Sequence, residues 1–289
     1  MSKEDIRKYG LELGADAVGF AAIEDYRSER SPDPQTVLPG AKSMVVLGYR
    51  ETDGSLESGN PQIQMGARMG LMEFALKNNY LMTRFLEDRY GVKAAPVAIS
   101  YPLNMGSATG EVSLRHAAVA AGLGIFGRHN LVIHQKFGTR ILFTASLTNL
   151  PLPSDPPVKD KLCTQCGICV ETCPVRALDE EGKTDVMRCR ENSQPYGISA
   201  LIRYLNQFIG TSPEEQKNHL KDPLLRSLYQ AQGLKQQYLN QFIGTSSEEQ
   251  KNYLKDPPLL SLYQAQGLKQ QYTCYKCMTV CPAGHRREK

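Results

Sequence analysis

Eight cysteines carry the most specific chemistry in this sequence. Four of them lie in one short run, Cys163-x2-Cys166-x2-Cys169-x3-Cys173, and Pro174 follows directly. This is the spacing of the bacterial ferredoxin loop, in which three thiolates bind one iron–sulfur cube and the fourth binds a second cube. A zinc site more often shows two separated Cys-x2-Cys pairs. The run therefore predicts [4Fe-4S] binding.

The other four cysteines complete a second set of ligands. Cys274-x2-Cys277-x3-Cys281, followed by Pro282, repeats part of the first pattern and lacks one ligand, which Cys189 supplies. We predict two [4Fe-4S] clusters with crossed ligation: cluster I on Cys163, Cys166, Cys169 and Cys281, and cluster II on Cys173, Cys189, Cys274 and Cys277. The alternative is one cluster plus a structural zinc loop. That arrangement leaves either cysteines without a metal or a metal site without a full set of ligands.

Composition and charge narrow the class of protein. Eight cysteines could form four disulfides, but a reducing compartment argues against that. No apolar run reaches the roughly 18–20 residues needed to span a bilayer, and the opening MSKEDIRKYGLELG is charged where a secretory signal is apolar. We therefore expect a cytoplasmic protein without a membrane partner. The formal charge of +4 falls to about zero with two clusters of about −2 each, so nucleic-acid binding is not expected.

Strands and helices alternate through the first 150 residues. The pattern predicts a helix over 2–13, and a Met and aromatic stripe between Met69 and Phe85 predicts a second helix that packs in the core. Another helix is predicted over Glu111–Ala121. The predicted strands are Ala17–Ile23, Ser43–Tyr49, Ala95–Ser100, Leu131–His134 and Ile141–Thr148. These elements predict an α/β or α+β sheet domain over residues 1–150.

A proline-rich stretch, 150–157, marks the predicted boundary with a ferredoxin-like cluster module over residues 151–289. Inside that module, Leu205–Tyr238 is followed directly by Leu239–Tyr272, a copy of the same 34-residue length that differs at four positions. We interpret 205–272 as a tandem duplication of a helical hairpin, with Ser212 and Ser246 as helix N-caps. Because it separates the two groups of cysteines, this insert must loop out from the clusters and return.

The stretches that precede the cysteine run resemble a known family. They are Ala121–His134 (AGLGIFGRHNLVIH), Phe137–Arg140 (FGTR) and Ser146–Leu152 (SLTNLPL), with Leu38–Val45 (LPGAKSMV) nearer the start. Together with the eight cysteines they resemble the epoxyqueuosine reductase family, which is related to the reductive dehalogenases. The resemblance covers residues 1–190 and 273–283 and leaves out the duplicated insert.

The resemblance implies a cobalamin cofactor, held by the sheet domain with its lower base displaced and with a cluster near its edge. It implies that glycines let the backbone approach the macrocycle and that polar side chains bind its rim. The implied cofactor-binding residues are Gly122, Gly124, Gly127, Arg128, His129, Asn130, Gly138, Thr139 and Arg140. The alternative is that the glycines only serve turns between a helix and two strands. We do not expect His129 or His134 to ligate cobalt.

The sequence differs from the family pattern at the position of the proton donor. The family places an aspartate about fourteen residues before its Gly-Leu-Gly turn, and this chain has Ala108 there. Glu111 is the nearest carboxylate, and Tyr101 is the nearest match to the tyrosine that dehalogenases use. These two are the candidate catalytic residues, although a helix start and a strand end explain them equally well. We therefore do not expect the chain to reduce epoxyqueuosine.

The cysteine pattern predicts an iron–sulfur protein that transfers electrons, and the resemblance implies a cobalamin-dependent oxidoreductase. Electrons would pass from a low-potential donor such as ferredoxin or flavodoxin through two clusters to cobalt, and on to a small organic substrate. The alternative is an electron-transfer or corrinoid-handling protein that acts on the corrinoid of a partner protein, which the missing aspartate supports. A plain ferredoxin does not explain the ~160 residues that precede the cysteines, because such clusters need only a small protein shell.

Overall fold

The computed structural model describes residues 3–97, 110–181, 183–193, 212, 214–215 and 274–285. The chain divides into two compact units, Met1–Ser193 with Tyr272–Lys289, and Gln194–Gln271. All eight cysteines belong to the first unit. The end of the predicted third strand, with Tyr101 and Ala108, lies outside the described residues.

A four-stranded antiparallel sheet forms the centre of the first unit. Its strands are β1 (Ala17–Ala22), β2 (Ser43–Arg50), β3 (Ala94–Val97) and β6 (Ile141–Thr148), in the order β1-β2-β6-β3. The central pair, β2 and β6, aligns Ser43 with Thr148 and Arg50 with Ile141. Both strands are buried along nearly their whole length. Strand β2 is mostly apolar for this reason, whereas β6 also buries the polar residues Thr144, Ser146 and Thr148. The mixed α/β fold that the sequence predicts is confirmed, with every strand pair antiparallel.

Helices cover both faces of this sheet. The described helices are α1 (Lys3–Glu12), α2 (Asp53–Glu57), α3 (Pro61–Tyr90), α4 (Leu114–Ala120), α5 (Ile168–Glu171), α6 (Val186–Ser193) and α7 (Lys276–Val280). Alternate residues of β2 pack on opposite sides: Met44 lies in the core under α4, and Val45 lies in the core under α1 and α3. Short 3-10 turns span Ile23–Asp25, Pro34–Thr36 and Pro282–His285. No helix in these described ranges is both long and apolar enough to cross a bilayer.

The inner face of α3 departs from the predicted Met and aromatic stripe. Met82 is fully buried, but Phe74 and Tyr80 are exposed, so the stripe prediction was wrong for those two rings. Asn79 is buried instead, and its side-chain oxygen accepts a 2.7 Å hydrogen bond from Ser146 Oγ on β6. Apolar periodicity missed this face because hydrogen-bonded polar side chains occupy part of it.

Two boundaries near the candidate site also differ from prediction. The helix expected from Glu111 begins at Leu114, because the side chain of Ser113 accepts a hydrogen bond from the backbone N–H of His116 and caps the first turn. Glu111 is therefore an exposed residue ahead of α4. A two-stranded ribbon follows, β4 (Ile125–Phe126) with β5 (Val132–Ile133), which is shorter than the strand predicted there.

The proline-rich linker is bound to the sheet domain. Asp155 accepts hydrogen bonds from Lys3, from Arg7 (3.0 Å) and from the backbone N–H of Phe20 (3.2 Å). In the insert, Ser212 and Glu215 form reciprocal hydrogen bonds, with Glu215 N donating to Ser212 Oγ at 3.3 Å. This confirms Ser212 as an N-cap, whereas the rest of the duplicated segment lies outside the described residues.

Candidate metal centre

All eight cysteines are free thiols in the structure, and none of them forms a disulfide. The first run places Cys169 in α5, Cys189 lies in α6, and the last group places Cys277 in α7. Helices α5 and α7 pack against each other, so segments more than a hundred residues apart in sequence come together.

The four thiols predicted for cluster I converge on one cavity, which Cys163, Cys166, Cys169 and Cys281 line. Burial raises the pKa of Cys169, and the neighbouring thiolates of Cys281, Cys166 and Cys163 raise it further. Charge repulsion of this kind requires short separations. The structure thus brings Cys281 into the group formed by the first cysteine run.

The four thiols predicted for cluster II form the second group. Burial raises the pKa of Cys277 to about 12, and the thiolates of Cys189, Cys173 and Cys274 act in the same direction. Cys169 of the first group contributes a smaller repulsion. The two groups therefore adjoin.

The first cysteine loop is shaped by left-handed backbone between its ligand positions. Gln165 has φ of 55° and Gly167 has φ of 76°. A positive φ is uncommon for a residue other than glycine, and such residues concentrate at functional sites. These two turns wrap the loop so that Cys163, Cys166 and Cys169 face one cavity.

The thiols suit a thiolate-bound iron–sulfur cluster. Burial raises the pKa of Cys169, Cys277 and Cys281 and disfavours their thiolates, and a bound metal reverses this because a coordinating thiol is deprotonated. Backbone donors already point at the sulfurs: Arg128 N lies 3.5 Å from Cys163 Sγ, and Ala177 N lies 3.3 Å from Cys173 Sγ. Burial raises the pKa of Cys281, while backbone N–H groups of Ala283 and Gly284 act to lower it.

The spacing rules did not identify these backbone donors. Ala177, Ala283 and Gly284 are small residues within four positions after the cysteine of a Cys-Pro step, whereas Arg128 has no such signal in the sequence. Within the described ranges, no three His, Cys, Asp or Glu side chains converge on one ion-sized point. The ligands of a four-iron cube sit at its separate corners and need no such convergence.

Gly138 and Thr139 attach the last cysteine segment to the sheet domain. Gly138 has φ of +57°, and a Cβ built there would lie 1.9 Å from the carbonyl oxygen of Ala283. Thr139 Oγ1 donates a 3.0 Å hydrogen bond to the carbonyl oxygen of Met278. Cys281 lies between these two contacts in sequence, so both residues fix the position of a predicted cluster I ligand.

Arg140 completes this attachment. Its side chain is 2% exposed, and its guanidinium donates to Asp53 at 2.7 Å and to Glu57 at 2.6 Å. Both acids belong to α2, and Leu56 between them packs against Tyr275 and Met278. All three residues have contacts within the chain, and the interpretation of Gly138, Thr139 and Arg140 as cobalamin-binding residues stays a prediction.

The other predicted glycines are also crowded by protein. A Cβ at Gly122 would lie 2.4 Å from the carbonyl oxygen of Pro156, and one at Gly124 would lie 2.4 Å from that of Ile133. At Gly127 it would lie 2.5 Å from the ring of His129. Packing within the chain is thus sufficient to explain glycine at each position, as in the alternative interpretation, and cobalamin binding by these residues stays a prediction.

The remaining predicted residues lie beside the cluster I thiols. The side chain of Arg128 forms a 3.2 Å ion pair with Glu181. Asn130 has φ of 59°, and its carbonyl oxygen accepts a 2.6 Å hydrogen bond from Arg115. His129 is 4% exposed and lines the cavity. Burial lowers the pKa of His129 to about 4, so the ring is neutral.

A separate open groove lies on the other side of the linker. It encloses about 910 Å³ between residues 22–42 and Pro151–Pro153. None of the predicted site residues lines it. Of the two candidate catalytic residues, Glu111 is exposed and does not line the cysteine cavity, and Tyr101 lies outside the described residues.

Comparison with known proteins agrees with this site. A family model described as a 4Fe-4S binding domain matches residues 156–179. The epoxyqueuosine reductase of Bacillus cereus is 28% identical over 244 residues, which are 75% of this chain and 60% of that protein. The chain therefore spans about three fifths of the length of this curated relative. The resemblance predicted from the sequence is confirmed.

Solved structures show the same fold. A selenomethionine-labelled epoxyqueuosine reductase superposes with a TM-score of 0.54 at 18% identity, covering 99% of this chain and 66% of that one. A reductive dehalogenase, whose structure is described as suggesting a mechanism for B12-dependent dehalogenation, superposes with a TM-score of 0.52 at 22% identity. That match covers 66% of this chain and 29% of the dehalogenase.

Proposed function

We propose that this chain is an iron–sulfur oxidoreductase that holds two [4Fe-4S] clusters and acts with cobalamin. The observation that carries the cluster assignment is the division of eight free thiols into two adjoining groups of four. Each group takes one cysteine from the other run: Cys281 joins the first group and Cys173 joins the second. This crossing supports the ligand sets predicted from the sequence, and the 4Fe-4S domain match over 156–179 supports the type of cluster.

The chain's own residues give this centre an electron path. Because the two groups of thiols adjoin, clusters bound there lie close enough for electrons to pass between them. Cys166 is exposed, which leaves one side of the cluster I group open to solvent. We propose that a low-potential protein such as a ferredoxin or flavodoxin delivers electrons at this side.

Metal analysis tests the cluster assignment. After anaerobic reconstitution with iron and sulfide, we expect about eight irons per chain, as two four-iron cubes require. A reductive titration should then show two one-electron transitions. About four irons together with bound zinc would overturn the assignment in favour of a zinc loop.

The cobalamin part of the proposal is based on similarity to other proteins. The sequence likeness to epoxyqueuosine reductases and the fold shared with a B12-dependent dehalogenase support it. Bound cobalamin supplies a cobalt centre that can be reduced to a strong nucleophile. At the residues predicted to hold it, protein atoms crowd the Cβ side of the four glycines and Arg140 is paired with acids. We therefore assign the corrinoid to no described side chain and derive no step through it.

A spectroscopic titration tests the corrinoid directly. Cob(II)alamin added to the cluster-loaded protein should change its EPR signal from the base-on to the base-off form. An unchanged signal of free cobalamin at high protein concentration would remove the corrinoid from the proposal. It would leave the two-cluster assignment intact, because the iron count is measured separately.

A second candidate function is favoured by one sequence observation. Ala108 occupies the position at which the resembling family has its aspartate, and the nearby Glu111 is exposed. A chain without a proton donor suits electron transfer to a partner's corrinoid better than chemistry on its own substrate. Reduction of a corrinoid protein by the loaded chain, without turnover of a small organic substrate, would select this function.

A further inference from the structure

One buried polar atom beside the cluster I thiols has no partner among the residues that the structure describes. The ring of His129 is 4% exposed, and its Nε2 atom makes no hydrogen bond. His129 lines the same cavity as Cys163, Cys166, Cys169 and Cys281. A buried donor without a partner costs about 1–3 kcal/mol, so such an atom calls for an explanation.

The other ring nitrogen fixes which atom carries the proton. Leu131 N donates a 3.1 Å hydrogen bond to His129 Nδ1, which must therefore be unprotonated. In a neutral imidazole the proton then resides on Nε2. The unpartnered atom is thus an N–H donor beside a group of sulfurs.

The neighbouring residues hold this donor in place. Gly127 leaves room for the ring, because a Cβ there would lie 2.5 Å from His129 Cε1 and 3.0 Å from Nε2. Between them, Arg128 N already points at Cys163 Sγ, at 3.5 Å. The turn 127–129 therefore presents a backbone donor and a side-chain donor to one group of thiols.

We propose that His129 Nε2–H donates a hydrogen bond to a sulfur of cluster I and raises the reduction potential of that cluster. The proposal rests on the two-cluster assignment made above. It replaces the expectation that His129 binds the rim of cobalamin. His129 is a positioning and tuning residue here, not an iron ligand, because four cysteines already surround the cavity.

The direction of the effect follows from charge. Adding an electron to a [4Fe-4S] cluster increases the negative charge on its sulfurs. A hydrogen bond to a charged acceptor is stronger than one to a neutral acceptor, so the reduced cluster gains more from the donor. Loss of the donor therefore favours the oxidised cluster and lowers its potential.

Two substitutions distinguish the role of Nδ1 from the role of Nε2 in His129. In His129→Asn the side-chain oxygen can still accept from Leu131 N in the place of Nδ1, and nothing reaches the sulfurs. In His129→Gln the side-chain NH2 can take the place of Nε2–H. His116→Asn is the matched control, because His116 contacts Ser113 and Phe126 and does not line the cavity.

The measurement is a reductive titration of reconstituted protein followed by EPR, with iron counted in every sample. We expect His129→Asn to shift one of the two transitions negatively by about tenfold in the oxidised-to-reduced ratio, or ~59 mV for one electron. The other transition should stay in place, His129→Gln should restore most of the shift, and His116→Asn should change neither. In the wild type, an exchangeable proton coupled to one reduced cluster should be seen by pulsed EPR and should be absent in His129→Asn.

Three results would overturn the inference. The first is full iron with unchanged potentials in His129→Asn, which leaves the donor without an effect. The second is equal shifts of both transitions. The third is loss of about four irons in both variants of His129, which makes the residue a ligand or a packing element. A wild-type chain that fails to take up two clusters would instead refute the proposed function itself.

Discussion

Gly138 offers the sharpest test of how the last cysteine segment is attached. A Cβ in Gly138→Ala would lie 1.9 Å from Ala283 O and 2.6 Å from the Cα of Gly284. Both contacts are backbone, so no side-chain rotation relieves them and the segment must move. The residue also has φ of +57°, and a left-handed backbone costs an alanine about 1–2 kcal/mol.

Displacement of the last cysteine segment lowers the free energy of unfolding further, because two other interactions are lost. The hydrogen bond from Thr139 to Met278 O contributes about 1 kcal/mol when buried. The packing of Cys281 and Ala283 on Ile133 contributes about another 1 kcal/mol. We therefore expect Gly138→Ala to lower the free energy of unfolding by on the order of 3–4 kcal/mol. Because Cys281 moves with the segment, the iron content should fall from about eight to about four per chain.

Gly91 provides the matched control. It has φ of +62° at the end of α3, with no atom within 4 Å of a built Cβ. Gly91→Ala therefore keeps the backbone strain of about 1–2 kcal/mol and lacks the clash. The assay is urea unfolding with iron analysis of both variants. If Gly138→Ala unfolds like Gly91→Ala and keeps all its iron, then this contact does not hold the cysteine segment.

Further expectations follow from the same contacts. Cys189→Ser should leave about four irons and one transition, because no other cysteine can complete the cluster II set; full iron would point to an unrecognised ligand. Arg140→Met leaves Asp53 and Glu57 without their buried cation and should lower the free energy of unfolding by about 2 kcal/mol, as measured in urea. The exposed pair Lys8–Glu12 is its control, and Lys8→Met should change stability little; equal effects would contradict the role of Arg140. The loaded chain should not reduce epoxyqueuosine in tRNA at a useful rate, and robust turnover in a tRNA assay would show that another group replaces the donor missing at Ala108.

Local spacing made the cysteine sets predictable. Cys163, Cys166 and Cys169 form one group because a short loop can wrap only one cube, and the count of eight then leaves Cys189 a single place. Strand β6 also matched its predicted bounds, Ile141–Thr148, because a short run rich in apolar and β-branched residues between turn residues is typical of a strand.

The segment around Gly138 was not predictable in the same way. A glycine in a motif indicates that something crowds the backbone, but not whether that neighbour is a ligand or the chain itself. Here the neighbour is Ala283, which lies 145 residues away in sequence. The unpartnered Nε2 of His129 is likewise a property of three-dimensional packing, and no spacing rule reports it.

The order of the ligands along the chain has a consequence for biosynthesis. The first cysteine run leaves the ribosome well before the duplicated insert, yet each group of thiols still lacks cysteines that lie beyond the insert. Neither of the two proposed cubes could be completed on a nascent chain that ends within 205–272. Delivery of iron and sulfide by the assembly machinery must therefore wait for the last cysteine segment to emerge and dock. A truncated chain therefore retains thiols that bind no metal. Quality-control proteases could distinguish truncated copies from full-length ones by these thiols.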